Sequence, residues 1–165
     1  MPAPTDPTDP DPSDSEPTAQ SLAAQAGIDL DGSRDAALQL LVLVLLVSKR
    51  ISSAVAVRSA RELFAAGWTS LKELEASTWR QRVDALGRGG YRRYDFSTAE
   101  RLAEVCAHVH ERWGGDVRAL REAADLAAEV QTVPGIGPTG ARIFLREVAA
   151  MWPEVTVPAG PPARG

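Results

Sequence analysis

Between Val133 and Arg142 the chain reads V-P-G-I-G-P-T-G-A-R. Glycine on both sides of one isoleucine lets a backbone turn tightly with its amides unhindered. A helix starting directly after such a turn adds N–H groups that have no intrahelical partner. Together these groups form a seat for a phosphate oxygen. Gly135, Ile136 and Gly137 would supply the turn, with Thr139 just inside the helix. Arg142 and Arg146 lie four apart and share a face that could meet a phosphate backbone or simply water. Ala141 is small enough for two helices to cross closely, and Ile143 and Phe144 can bury against the preceding helix. The simpler alternative is a helix–helix turn with no ligand.

Other chemistry is thinly represented. Glu154, Glu147 and Asp95 are the carboxylates to consider as acid or base beside that turn, Glu154 being the first candidate. Cys106 is the single cysteine, so an internal disulfide, a zinc site of several thiolates and an iron–sulfur cluster are excluded within this chain. His108 and His110 stand two apart on a helical stretch and face different sides, which argues against a metal. No cofactor is expected.

The elements that would position these residues all read as helices. Ser33 is the expected N-cap of a helix reaching about Ser48, and its apolar run Leu40–Val47 is far too short to span a bilayer. A second helix covers roughly Ser53 to Ala66 and closes at Gly67. Ser70 with Glu73, Thr78 with Gln81 and Ser97 with Glu100 have the spacing of capping boxes. The third box opens a longer helix through Leu102, Val105, Val109 and Trp113, stopped by Gly114-Gly115. Val117 to about Gln131 reads as one further helix, and Thr139 to Met151 as the last. The tryptophans, Trp68, Trp79, Trp113 and Trp152, are expected to fill core or cap sites. No stretch alternates as a strand would. The expected fold class is all-α, a helical bundle.

Charge is unevenly spread. Residues 1–20 hold five of the 22 acids and no Lys or Arg, leaving 17 acids against 18 Lys and Arg elsewhere. The body is therefore neutral, and bulk charge neither favours nor excludes nucleic acid. The division expected is an acidic, proline-rich, disordered tail over 1–20, a helical domain over 21–157, and a second Pro/Gly tail over 158–165. With no signal peptide and one thiol, a reduced cytoplasmic setting and no membrane partner are expected.

L-A-A-E-V-Q-T-V-P-G-I-G-P-T-G-A-R-I-F-L resembles the helix-hairpin-helix motif of the DNA glycosylase superfamily typified by endonuclease III. L-L-V-S-K-R-I-S-S-A-V-A is similar to that family's early helix and DNA-probing turn. G-G-Y-R-R-Y-D-F-S-T-A-E-R-L is similar to the loop and helix that carry a second wedge. The resemblance runs from about Ser33 to Val157. It implies double-stranded DNA as partner, base-excision repair as setting and base flipping as mode of access. It also implies that Gly135, Ile136 and Gly137 contact phosphate, and that a monovalent cation is held by hairpin carbonyls. Arg50 would fill the gap left by a flipped base, and Tyr91 or Arg92 would lie near the second wedge. Read without the resemblance, Arg50 is a cation at a helix C-terminus, and Arg92 and Arg93 belong to a solvated loop.

The chain departs from the family where its chemistry occurs. Thr139 stands where bifunctional members have a lysine, and a Schiff base needs an amine. Pro158 stands where active members have an aspartate, and Glu154 is one helical turn early. The last residues, P-A-G-P-P-A-R-G, have the composition of GC-rich DNA translated out of frame, which suggests a frameshift or early stop. Two functions stay open: a glycosylase-like repair protein, and a non-catalytic helix-hairpin-helix module binding DNA or protein. A carboxylate beside the hairpin would favour the first.

Overall fold

The run A-A-L-Q-L-L-V-L-V-L-L-V has no polar stripe, and a helix apolar on every side has to be surrounded. In the structure, a computed structural model that describes residues 21–156, this run is helix α2 (Ala36–Val47), and every residue from Ala36 to Leu46 is buried. Each Leu or Val so enclosed contributes roughly 1.5–3 kcal/mol. The one polar member, Gln39, is satisfied by donating Nε2 to the Thr69 carbonyl at 2.9 Å.

The other helices form the sheath. A short α1 (Leu22–Gln25) precedes α2, and α3 (Ser53–Ala65), α4 (Leu71–Ala76), α5 (Trp79–Arg88) and α6 (Asp95–Trp113) follow. A 3-10 helix (Val117–Glu122), α7 (Leu126–Val130) and α8 (Pro138–Val148) complete the order. α3 and α8 both pack on α2, α5 packs on α3, α6 on α5, and α7 on α8. Among the described residues there is no strand, in agreement with the all-α expectation, and no helix long and apolar enough to cross a membrane. The expected tails at 1–20 and 158–165 lie outside the described residues.

Local signals are mostly obeyed. Thr78 and Gln81 form the reciprocal capping box. Ser70 caps α4, but Glu73 returns to the hydroxyls of Ser70 and Thr69 at 3.1 Å. Gly114 takes the left-handed conformation that ends α6. Three expectations need correction. Ser33 accepts from Asp35 N and stands outside α2, whose N-cap position is Asp35. Ser97 lies inside α6, donating to the Tyr94 carbonyl, because Asp95 already begins that helix. The single helix expected over 117–131 is two pieces. Ala123 is extended, and the Asp125 carboxylate caps α7 by accepting Ala128 N at 3.1 Å. An aspartate that bonds its own downstream backbone restarts a helix more readily than it continues one.

Two features hold the sheath in register. Arg82 is buried, donating Nε to the Ala99 carbonyl at 2.9 Å and Nη1 to the Ser77 carbonyl at 2.7 Å. Burial lowers its pKa, and these bonds supply what water would have given. Where α5 ends against α3, Gly89 lets backbone meet backbone. A Cβ there would lie 2.4 Å from Ser59 Oγ and 2.5 Å from Ser59 Cα. Gly89→Ala is therefore expected to force the α3–α5 crossing apart and cost about 1–3 kcal/mol. The urea midpoint of the variant against the parent chain measures this, and an unchanged midpoint would show that the crossing is loose.

Candidate nucleic-acid interface

The hairpin turn lies between α7 and α8, and its chemistry starts with what the local sequence cannot bond to itself. Pro138 is the first residue of α8, where its missing N–H costs nothing. The first bond of the helix is Ala141 N to the Gly137 carbonyl at 2.9 Å. Gly137, at the N-cap, has no side chain to close the end, so the first-turn amides are left to solvent or ligand. A Cβ at Gly137 would meet nothing within 4 Å, so this end opens outward. Gly135 has φ +93°, a conformation that favours glycine.

The inner side of the same turn is clamped. A Cβ at Gly135 would lie 2.7 Å from Leu45 Cδ1, and one at Gly140 would lie 2.9 Å from Ser48 Oγ and 3.3 Å from Val44 Cγ1. The glycines thus seat the hairpin directly on the C-terminal end of α2. A cavity of about 350 Å³ results, lined by Val47, Ser48, Gly137, Thr139, Gly140 and Ile143 among others.

The turn that follows α2 and the loop before α6 are joined to this face. Lys49 Nζ lies 5.4 Å from the centre of the Tyr94 ring, and Arg93 lies 5.7 Å from the same ring. Arg50, next along the turn, is exposed, as is Arg92. Arg142, half-buried, is on the second turn of α8. No ion pair or hydrogen bond engages Arg50, Arg92 or Arg142 among the described residues. Arg101 runs past Gly135, its Cδ and Nε 3.4 Å from where a Cβ would be, with Glu104 at 2.9 Å as ion partner. Arg101 therefore lies beside the hairpin, and Lys49 and Arg50 directly follow Ser48, which meets it at Gly140, whereas Arg92 lines a separate cleft on α5 with Asp84, Arg88 and Asp95.

Two expected contacts are corrected by burial. Tyr91 is wholly buried, its hydroxyl donating to the Leu46 carbonyl at 2.9 Å, and burial pushes its pKa up to about 12. It ties the loop to α2 from inside and cannot be a surface wedge. Ile136 has its side chain buried and its amide donated to the Val133 carbonyl at 3.1 Å, so it shapes the turn while the backbone of Gly135 and Gly137 stays exposed. The residues that sequence reasoning passed over are Tyr94 and Arg101. In Y-R-R-Y either tyrosine could have been the inner one, and nothing local distinguishes them.

Two of the three candidate carboxylates are committed to distant partners. Glu154 is held by both Arg121 Nε and Nη2, the latter at 2.8 Å, and the guanidinium keeps it below the usual carboxylate range. It lines a separate cavity with Arg121, Leu126 and Leu145. Glu147 is buried and accepts Ala23 N at 2.9 Å, fastening the N-terminal segment to α8. Asp95 Oδ1 accepts Phe96 N at 2.8 Å. None of the three lines the hairpin cavity. Pro158 lies outside the described residues. Cys106 is buried with its thiol pushed up to about 11 by desolvation, and no cluster of metal-binding side chains occurs among the described residues. His110 pairs with Glu75 at 2.6 Å, and His108 contacts Thr132 at 2.9 Å and the Trp113 ring edge-on.

A solved structure described as a trapped endonuclease III–DNA covalent intermediate, an estranged-adenine complex, is similar to this chain. The TM-score is 0.55 at 18% identity, over 80% of this chain and 57% of that one. At that identity the likeness concerns the fold, and this chain spans little more than half the length of the chain it matches. No protein-family model matches it, and neither does any curated relative.

Tyr91→Phe separates anchoring from contact. Removing the hydroxyl leaves the buried Leu46 carbonyl without its partner, and a loss of about 1–2 kcal/mol in chemical denaturation is expected. Duplex affinity should change less than about twofold, as for a residue that never meets solvent. A large affinity loss with intact stability would return Tyr91 to the surface role.

Proposed function

We propose that this chain is a DNA-binding protein of base-excision-repair type, with a glycosylase-like helical body that grips the duplex backbone through its hairpin. The observation that carries this reading is the outward-open, uncapped start of α8 at Gly137, with Arg101 passing beside Gly135 and Arg142 on the next turn of the helix. A phosphate there would accept N–H bonds from the turn and first helical residues, with the helix dipole and the arginines adding charge. Arg50 would flank the strand, and Thr139 would add a hydroxyl contact. Binding of this kind falls steeply with salt, because each neutralised phosphate releases counterions.

A monovalent cation also suits the turn. The segment from Val130 to Gly137 contains no carboxylate, and the Val130 and Val133 carbonyls each accept one amide at 3.1 Å, keeping a lone pair free. Neutral oxygens hold a singly charged ion weakly, and the ion would draw a phosphate toward the hairpin.

Catalysis is the weaker part of the family likeness. Lyase chemistry needs an amine where Thr139 stands, and stabilising an oxocarbenium-like charge needs a free carboxylate near the hairpin. Glu154 is committed to Arg121 and Glu147 to Ala23. The reading is therefore recognition of DNA without base excision.

Gly137→Asp tests it with effects of opposite sign. Aspartate is a favoured N-cap and has room, so stability should hold or rise by a few tenths of a kcal/mol. Its charge would face the phosphate, so affinity for a duplex carrying an abasic-site analogue should fall about tenfold or more, with a shallower salt slope. Equal affinity in both chains across the salt series would sink the hairpin reading. Borohydride treatment of the parent complex should trap no covalent adduct.

A further inference from the structure

Among the described residues, the exposed large hydrophobic side chains are Trp79 and Phe96, 39% and 59% exposed. Their rings touch, with centroids 5.1 Å apart, and Trp79 Nε1 donates to the Phe96 carbonyl at 3.3 Å. Arg80 lies 5.9 Å from the Trp79 ring, and Tyr94, two residues before Phe96, has Lys49 and Arg93 against its own ring. Exposed rings with Arg80 beside them and Lys49 and Arg93 on the neighbouring tyrosine, Asp95 being tied to the Phe96 amide, suit an occupant that has apolar ring-packing groups and negative charge together. The first twenty residues have both: six prolines, five carboxylates, and no Lys or Arg. Proline-rich chain docks on aromatic surfaces at low entropic cost, and carboxylates pair with arginine.

The point of attachment is favourable. The described chain begins at Ser21, and its first helix is fastened by Ala23 N to Glu147 at 2.9 Å and by Arg61 Nη1 to the Gln25 carbonyl at 2.7 Å. Arg61 is eight residues past Ser53, about 12 Å along α3 from the turn that carries Lys49 and Arg50. Twenty residues reach about 70 Å when extended. A tether of that length keeps its charges near the face at an effective concentration on the order of millimolar, enough to populate a weak contact.

We propose that residues 1–20 dock on this face, prolines against Trp79 and Phe96 and carboxylates against Lys49, Arg50, Arg80 and Arg93. The docked segment occupies ground next to the hairpin and competes with DNA for its cations. The competition rests on the hairpin reading above; the docking does not.

The test uses the full chain with Asp6, Asp9, Asp11 and Asp14 changed to Asn and Glu16 to Gln. Acrylamide quenching of Trp79, taken as the difference from Trp79→Phe partners, reports whether the ring is covered. Quenching is expected to be about twofold weaker in the parent than in the neutralised chain at low salt, with the difference lost at about 0.5 M salt. Duplex affinity should rise about tenfold on neutralisation at low salt. In a Trp79→Ala, Phe96→Ala background it should rise less than about threefold, because the anchor is gone. Equal quenching in the two chains at low salt overturns the docking, whether or not DNA binds. Protection that grows with protein concentration assigns the face to a second copy, and protection seen only after DNA is added assigns it to nucleic acid; either overturns the proposal. Protected Trp79 in a chain that shows no hairpin-dependent DNA affinity keeps the docking and removes the DNA reading.

Discussion

The structure depends on the complete burial of α2. Its apolar circumference leaves no face for water, so α3 and α8 must both lie against it. That requirement sets the place of everything functional. The C-terminal end of α2 supplies Val44, Leu45 and Ser48 to the floor of the hairpin, and its Leu46 carbonyl receives Tyr91 from the loop before α6. The turn immediately after it carries Lys49 and Arg50. One buried helix end therefore collects three surface segments, and the glycines at 135 and 140 are what allow the approach to be so close.

The same arrangement separates binding from chemistry. The hairpin presents donors and cations outward and has no free carboxylate in its cavity. The acids that the sequence offered have structural partners. Glu147 is a buried acceptor that fixes the N-terminal segment, and Glu154 is half of a paired clamp with Arg121. An ionised carboxylate held in a bidentate pair is poorly placed to stabilise charge elsewhere, since its field is largely neutralised by the partner.

The acidic first twenty residues account for the net negative charge of the sequence. In the docking proposed above, those carboxylates compete with DNA for the cations of a body that is otherwise neutral. The exposed Trp79–Phe96 pair gives such a segment an apolar foothold that purely electrostatic attraction would lack.

The helical class, most helix ends and the hairpin were readable in the sequence, because caps, glycine stops and apolar period act over a few residues. Thr78 with Gln81 and Gly114 behave as local chemistry demands. The break at Ala123 was missed because its cause, Asp125 choosing its own downstream amide, competes closely with helix continuation. A glycine turn followed by a helix from about Thr139 could be read from the residues alone, because glycine's backbone freedom is local, and the helix begins one residue earlier, at Pro138. That Tyr91 is buried while Tyr94 is half-exposed, that Arg101 runs past Gly135, and that Glu147 serves the N-terminal segment are outcomes of long-range packing. Those outcomes depend on which groups the buried end of α2 can satisfy, and that contact joins residues too distant in the chain for any local pattern to announce it.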